Sequence, residues 1–150
     1  MLASVGSTPY KIVFLLHILS VIVAFAPAFV WPITSVGMRK RNEKISDGTA
    51  VQIVRNSMTV HGPALVLAGL FGIVLVILSD ETWEFSQLWI SGAFVVWFGL
   101  VGVVFGGVVP AERKVAQGDE AAEKKVAMFG GISHVLLLLI LIDMIWKPGL

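Results

Sequence analysis

Charged residues divide the chain into four long apolar stretches. No Asp, Glu, Lys or Arg lies between the following pairs of residues: Lys11 and Arg39, Arg55 and Asp80, Glu84 and Glu112, and Lys125 and Asp143. A helix needs about 20 predominantly apolar residues to cross a hydrocarbon layer of roughly 30 Å. The pattern therefore predicts an all-α polytopic membrane protein, in which residues 1–150 form one domain. We expect a bundle of four transmembrane helices near 12–37, 60–79, 87–109 and 127–146.

Composition supports a membrane location for the chain. Hydrophobic residues make up 57% and charged residues 14% of the sequence, and the mean hydropathy is +0.89. A soluble domain usually carries about 25% charged residues. The absence of cysteine excludes disulfides and thiolate metal sites. The net charge of +1 gives no indication of nucleic-acid binding, so the expected partner is the lipid bilayer.

The first apolar stretch has some features of a cleaved signal peptide. Lys11 precedes an apolar run, and Ala26 and Ala28 are small residues of the kind found at cleavage sites. However, the apolar run continues as far as Trp31, and Pro27 directly follows Ala26, a poor position for cleavage. We therefore expect this segment to be retained as the first transmembrane helix.

Basic residues predict the orientation of the chain. The loop over 38–59 carries five Lys or Arg residues from Arg39 to Arg55, and the loop over 110–126 carries four from Arg113 to Lys125. The loop between the second and third spans carries none. The positive-inside rule places both basic loops in the cytoplasm and both termini on the outer side of the cell membrane. Trp83, Trp89 and Trp146 then lie near the outer interface, where indole rings concentrate.

The two basic loops resemble each other. Asp47 and Asp119 are expected to open helices by accepting hydrogen bonds from free backbone amides. A histidine follows each of them at a similar distance, His61 in the first case and His134 in the second. The two halves are either a parallel duplication or a coincidence of two short loops, and the sequence leaves both open.

The three histidines are the candidate cofactor ligands. His17 lies in the outer half of the first helix, roughly 9 Å from its end, whereas His61 and His134 both lie in the cytoplasmic half. His61 and His134 could therefore face one pocket and hold a b-type haem. Equally, each could donate a hydrogen bond to a backbone carbonyl of a neighbouring helix, as a polar group in lipid must. Imidazole is the only plausible transition-metal ligand in the sequence, and the identity of any metal is left open.

Proline and glycine mark further positions of interest. Pro27, Pro32 and Pro63 each free the carbonyl four residues earlier, which offers an acceptor to a neighbouring side chain. Gly62-Pro63 is expected to join an interfacial helix to the second span. A face of the third helix carries glycines that let another helix approach closely, either inside the bundle or from a partner subunit. These residues are Gly92, Gly99, Gly102 and Gly106.

Asp143 lies one turn inside the outer end of the fourth helix. A carboxylate at that depth needs a cation or water, and Lys147 and Lys11 are at the same level. We expect an ion pair or an interfacial group there, with a proton or metal-cation site as the alternative.

The chain resembles an uncharacterised family of small bacterial integral membrane proteins. The resemblance lies in the opening segment from Tyr10 to Leu19, the basic first loop and the ending from Asp143 to Gly149. That family is similar to the copper-resistance D proteins and to the membrane-bound protoporphyrinogen oxidase that uses haem. In the oxidase a Leu-His-Ile element supplies a functional histidine, and His17 occupies the matching place. The oxidase's other signature residues are missing, so the resemblance implies the topology and favours haem, but not the activity.

Three functions remain open on the sequence alone. The first is a small non-catalytic membrane protein, such as an accessory subunit of a larger membrane complex or a homo-oligomer. The second is a b-type haem redox protein that uses His17, His61 or His134. The third is a transporter of a small solute or metal ion along the first helix. No enzymatic motif is found, and we expect no catalytic residues.

Overall fold

The computed structural model describes residues 4–41, 43 and 45–149. The α-helices are α1 (Thr8–Lys40), α2 (Asp47–Asn56), α3 (Gly62–Ile77), α4 (Leu88–Val103), α5 (Val109–Ala116) and α6 (Ala122–Trp146). Two π-helical turns, Ser57–His61 and Val104–Val108, join α2 to α3 and α4 to α5 without a break in the helical backbone.

Four helical segments are long and apolar enough to cross a membrane. They are Thr8–Met38, Asp47–Ile77, Leu88–Ala116 and Ala122–Trp146, and the part of the chain that is described contains no strand. The predicted all-α, four-helix membrane bundle is thus confirmed. The second segment begins before its apolar stretch and the third ends after its own, because polar residues continue the helix there.

Polar side chains accept from backbone amides at the start of α2 and in the turn before α6, but only α2 has a side-chain cap. The Ser46 hydroxyl accepts a hydrogen bond from the Thr49 amide at 3.3 Å, so Ser46 caps α2 and Asp47 is its first residue. Asp119 Oδ1 accepts from the Ala121 amide at 3.0 Å, immediately before α6. Asp47 is therefore the first residue of α2, but its cap is the neighbouring serine, and Asp119 lies in the turn before α6 without capping it.

Each π-helical turn immediately precedes an X-Pro pair. The Gly62 amide donates to the Ser57 carbonyl, and the Val109 amide donates to the Val104 carbonyl, both five residues back. Pro63 and Pro110 then follow, and their rings would clash with a carbonyl in a regular α-turn. The joint predicted at Gly62-Pro63 is therefore a widened helical turn within one continuous segment.

The two ends of the bundle differ in their side chains. We call one the terminal end, where Tyr10 near the chain start, Trp83 between α3 and α4, and Lys147 near the chain end all meet. We call the other the basic end, where α2 packs against α5 and Arg113 donates to the Met58 sulfur at 3.6 Å. Successive membrane segments thus run antiparallel between these two ends.

The bundle consists of two closely packed helix pairs. α1 packs along α3, and α4 packs along α6, whereas α3 and α4 make far fewer backbone approaches. Large side chains fill the space between the pairs. The buried centre of this core is formed by Phe25, Leu65, Leu100 and Leu137, one residue from each membrane segment.

Candidate functional site

His61 donates to a carbonyl of α1 that a proline leaves free. Its Nδ1 lies 2.8 Å from the Val23 carbonyl oxygen. Pro27 lies four residues after Val23 and has no N–H, so the helix itself provides no donor for that oxygen. An acceptor without a donor is costly in lipid. His61 therefore satisfies the first proline-freed carbonyl of α1.

His134 does the same for the second proline. Its Nε2 donates to the Ala28 carbonyl, which Pro32 deprives of an intrahelical donor, and its Nδ1 lies 2.7 Å from the Gly130 carbonyl. A neutral imidazole carries a single N–H, so it donates to one of these two oxygens at a time, and a protonated ring donates to both. Phe29 packs edge-on against the ring, with 6.2 Å between centroids.

His17 lies in α1 itself and links this helix to α3. Its Nδ1 lies 2.8 Å from the Ala68 carbonyl oxygen, and the ring lies over Gly72, where an added Cβ would be 3.7 Å from it. The half-buried imidazole crosses the interface of the first helix pair. Each of the three histidines thus bonds to a backbone carbonyl of another membrane segment. His134 also bonds to a carbonyl of its own helix.

The structure does not bring the three histidines together as a ligand set. Among the described residues no group of three His, Cys, Asp or Glu side chains could hold a metal ion. His17 bonds to Ala68, and His61 bonds to Val23. The two rings are therefore separated by six to seven residues of helix, which is about 9–10 Å along the interface of the first helix pair. Two nitrogens on one metal are at most about 4 Å apart. Both nitrogens of His134 face carbonyl oxygens.

The predicted glycine face of α4 has two parts. Gly92 and Gly99 face α6, where an added Cβ would lie 3.4 Å from Asp143 Oδ1 and 3.8 Å from a Leu136 methyl, respectively. Gly102 and Gly106 have open space within 4 Å. Gly92 is half-buried against α6, whereas Gly99 contacts α6 but remains exposed. The GxxxG pair, of which Gly106 lies in the second π-helical turn, is exposed with nothing beside it.

Three other glycines admit aromatic rings from a neighbouring membrane segment, Gly62 and Gly69 between the two helix pairs and Gly107 within the second pair, and they show no periodicity in the sequence. A Cβ at Gly69 would lie 2.1 Å from the Trp97 ring, and one at Gly107 would lie 2.5 Å from Phe129. A Cβ at Gly62 would lie 2.7 Å from the Phe105 ring. The indole of Trp97 also donates to the Leu65 carbonyl at 2.9 Å, which fixes the ring on Gly69.

An aromatic cluster occupies the terminal end. The rings of Trp83 and Trp89 meet edge-to-face at 5.3 Å, and the Trp83 indole N–H donates to the Tyr10 hydroxyl at 3.2 Å. Lys147 Nζ lies 4.3 Å from the Trp83 ring centroid and 5.2 Å from that of Trp89. The cation is thus held by indole faces, and the expected ion pair with Asp143 is not found among the described residues.

Glu112 is a buried polar residue that the sequence pattern did not indicate. It lies in α5 at the basic end, and its carboxyl accepts a hydrogen bond from the Ser57 hydroxyl in the first π-helical turn. Its Oε2 atom is buried without a hydrogen-bond partner in the described structure. The contact depends on α2 and α5 lying side by side, which no local pattern reveals.

The chain matches the model of a known protein family. Residues 11–148 match the family model described as "Predicted integral membrane protein (DUF2269)". The chain belongs to this family. It is therefore an integral membrane protein that crosses the bilayer several times. No curated protein and no solved structure matches it. The similarity to copper-resistance D proteins and to protoporphyrinogen oxidase stays a prediction.

Proposed function

We propose that this member of the DUF2269 family is a non-catalytic accessory subunit of a larger membrane complex. The observation that carries the proposal is the exposed Gly102–Gly106 pair, beside which the structure leaves open space. Elsewhere in the described bundle, the notches at Gly62, Gly69 and Gly107 are filled by aromatic rings. In lipid, helices associate through close backbone approach at small residues. An unfilled glycine pair on the outer face of the third membrane segment, from the end of α4 into the second π-helical turn, is therefore suited to receive another helix.

The surroundings of the glycine pair support an apolar partner. Val95 and Phe98, on the same exposed side of α4, are 72% and 64% accessible. The glycines form a depression at the basic half of this face, and the larger side chains form a ridge toward the terminal end. A transmembrane helix with its own small-residue face could contact both.

The assembly is tested by its mass. We expect protein extracted from its native membranes in a mild detergent to migrate as a complex larger than one 16.2 kDa chain. Replacing both Gly102 and Gly106 by Leu fills the depression and should release a free chain with unchanged helical content. Gly131→Leu is the matched control, because Gly131 is also exposed with open space beside it, but on α6.

The protein composition of the complex shows whether the partner is a different membrane protein or another copy of this chain. A different membrane protein in constant ratio supports an accessory subunit, whereas a complex of this chain alone indicates a homo-oligomer. A wild-type chain that is monomeric in mild detergent and after cross-linking in the membrane contradicts the proposal.

A haem-binding function has one supporting observation. The Nδ1 atoms of His17 and His61 bond to carbonyl oxygens, an arrangement typical of metal-ligating imidazoles whose other nitrogen holds the metal. Absorbance spectra of protein expressed with haem supplied would test it. A reduced-minus-oxidised band lost in His61→Ala supports haem, and a flat spectrum removes it.

The transport alternative lacks comparable support. It depended on space and free acceptors along the first helix. The carbonyls freed by Pro27 and Pro32 accept from histidines instead. One cleft on the described surface lies at the basic end of α1, beyond both freed carbonyls, and another lies between α4 and α6. Flux measurements in proteoliposomes would test this alternative directly.

A further inference from the structure

Asp143 is a membrane carboxylate without a cation. It lies in α6, three residues before the helix ends at Trp146. Lys147, the nearest cation along the chain, is held over Trp83 and Trp89. Within residues 4–41, 43 and 45–149, the carboxylate makes no ion pair, and its Oδ2 is buried without a hydrogen-bond partner. A charged group in this setting strongly favours a counter-ion.

The carboxylate borders a cleft between α4 and α6. The cleft has a volume of about 390 Å³, and its walls are mainly apolar, with Val96 from α4 and Leu139, Ile142 and Trp146 from α6. Gly92 lies opposite Asp143, and a Cβ there would approach Oδ1 to 3.4 Å. The glycine thus leaves room beside the carboxylate. Leu139 and Trp146 are 48% and 72% accessible, so the cleft opens to the side of the bundle.

The depth of the cleft matches a lipid headgroup. Asp143 lies about 4.5 Å from the end of α6 by helical rise. Tyr10, Trp83 and Trp89 surround the same end, and aromatic residues of this kind mark the boundary between headgroups and hydrocarbon. A ligand bound here would therefore have its polar end at the level of the carboxylate and its apolar part along the helices.

We propose that this cleft binds a phospholipid with a primary ammonium headgroup, of the phosphatidylethanolamine class. The ammonium donates charge-assisted hydrogen bonds to Asp143, and an acyl chain lies against Val96 and Leu139. A primary ammonium has three N–H donors, whereas the trimethylammonium of phosphatidylcholine has none. Phosphatidylglycerol is anionic and is repelled by the carboxylate. The site does not depend on the accessory-subunit proposal, because it lies on a different part of α4.

Lipid selectivity tests the site. Detergent-purified protein is titrated separately with phosphatidylethanolamine, phosphatidylcholine and phosphatidylglycerol of identical acyl chains, and bound lipid is counted by native mass spectrometry. We expect the Kd for phosphatidylethanolamine to be about tenfold lower than for the other two, as charge-assisted hydrogen bonds are typically strong enough to produce. Equal affinities of the wild-type protein for the three lipids overturn the proposal.

Two variants locate the binding. Asp143→Asn should abolish the preference, whereas Asp80→Asn, which removes an exposed carboxylate at the same end, should retain it. A preference that persists in Asp143→Asn overturns the assignment to this cleft. If Asp143→Asn does not fold, Leu139→Trp keeps the carboxylate but fills the cleft, and it should reduce phosphatidylethanolamine binding to the level of phosphatidylcholine. Unchanged binding in Leu139→Trp equally overturns the proposal.

Discussion

At the scale of residues, the two prolines in the middle of α1, Pro27 and Pro32, each have a histidine on another segment as a counterpart. Pro27 frees the Val23 carbonyl for His61, and Pro32 frees the Ala28 carbonyl for His134. Prolines inside membrane helices are tolerated when neighbours satisfy the freed backbone groups. The histidines thus fasten α1 to the segment that contains α3 and to α6.

Double-mutant cycles should reveal this pairing. His61→Ala leaves the Val23 oxygen without a donor and should cost about 1 kcal/mol of unfolding free energy. In a Pro27→Ala background the new amide at position 27 donates to that oxygen, so the same histidine substitution should cost much less. Unfolding by SDS titration in bicelles, followed by circular dichroism, measures both.

The crossed combination is the control for the cycle. Pro32→Ala should reduce the cost of His134→Ala, but it should leave the cost of His61→Ala unchanged, because the two carbonyls are separate. Equal coupling in the matched and crossed pairs would mean that the histidines stabilise α1 by general packing and not through these acceptors.

At the scale of elements, glycines set how closely the helix pairs approach. The Trp97 ring occupies the notch at Gly69 and bonds to Leu65 one turn earlier. A methyl group at Gly69 would meet the ring at a distance that requires the ring to move. Gly102, on the same helix as Trp97, has open space beside it. The two glycines therefore have opposite expected responses to substitution.

Gly69→Ala should lower the unfolding free energy by about 1–3 kcal/mol, the usual cost of overpacking. Gly102→Ala should be neutral or stabilising in detergent, because alanine favours the helix more than glycine. The same SDS titration compares them. If Gly69→Ala is as stable as Gly102→Ala, the indole is not confined by the notch.

At the scale of the whole molecule, the unequal ends of the bundle predict its orientation. Acidic residues lie in the loop between α3 and α4 and basic residues lie in the two other loops. Because the chain contains no cysteine, single cysteines can be introduced without background. Thr82→Cys, at the terminal end, should react with an impermeant maleimide on intact cells. Gln117→Cys, at the basic end, should react only after permeabilisation.

Both positions are exposed in the structure, so accessibility of the side chain is not limiting. The cysteine-free wild type controls for non-specific labelling. The reverse labelling pattern would contradict the predicted cytoplasmic location of loops 38–59 and 110–126.

Sequence reasoning succeeded where the signal is local. The four spans follow from runs of apolar residues, and the starts of α2 and α6 follow from polar residues beside free amides. Sequence reasoning identified fewer of the residues at the candidate sites. Periodicity singled out the α4 glycines, but not Gly69, because a glycine that receives a ring from a distant helix has no spacing signature. The contact of Glu112 with Ser57 escaped detection for the same reason.

The sequence by itself determined that the chain has four membrane helices, and that Pro27 and Pro32 leave two carbonyls in α1 without intrahelical donors. These properties depend on neighbours within one turn or one apolar run. Only the tertiary structure decided which side chains reach those carbonyls, and that Lys147 lies on two indoles and not on Asp143. Such contacts depend on the rotation and height of helices far apart in the chain, and packing of the whole bundle sets both.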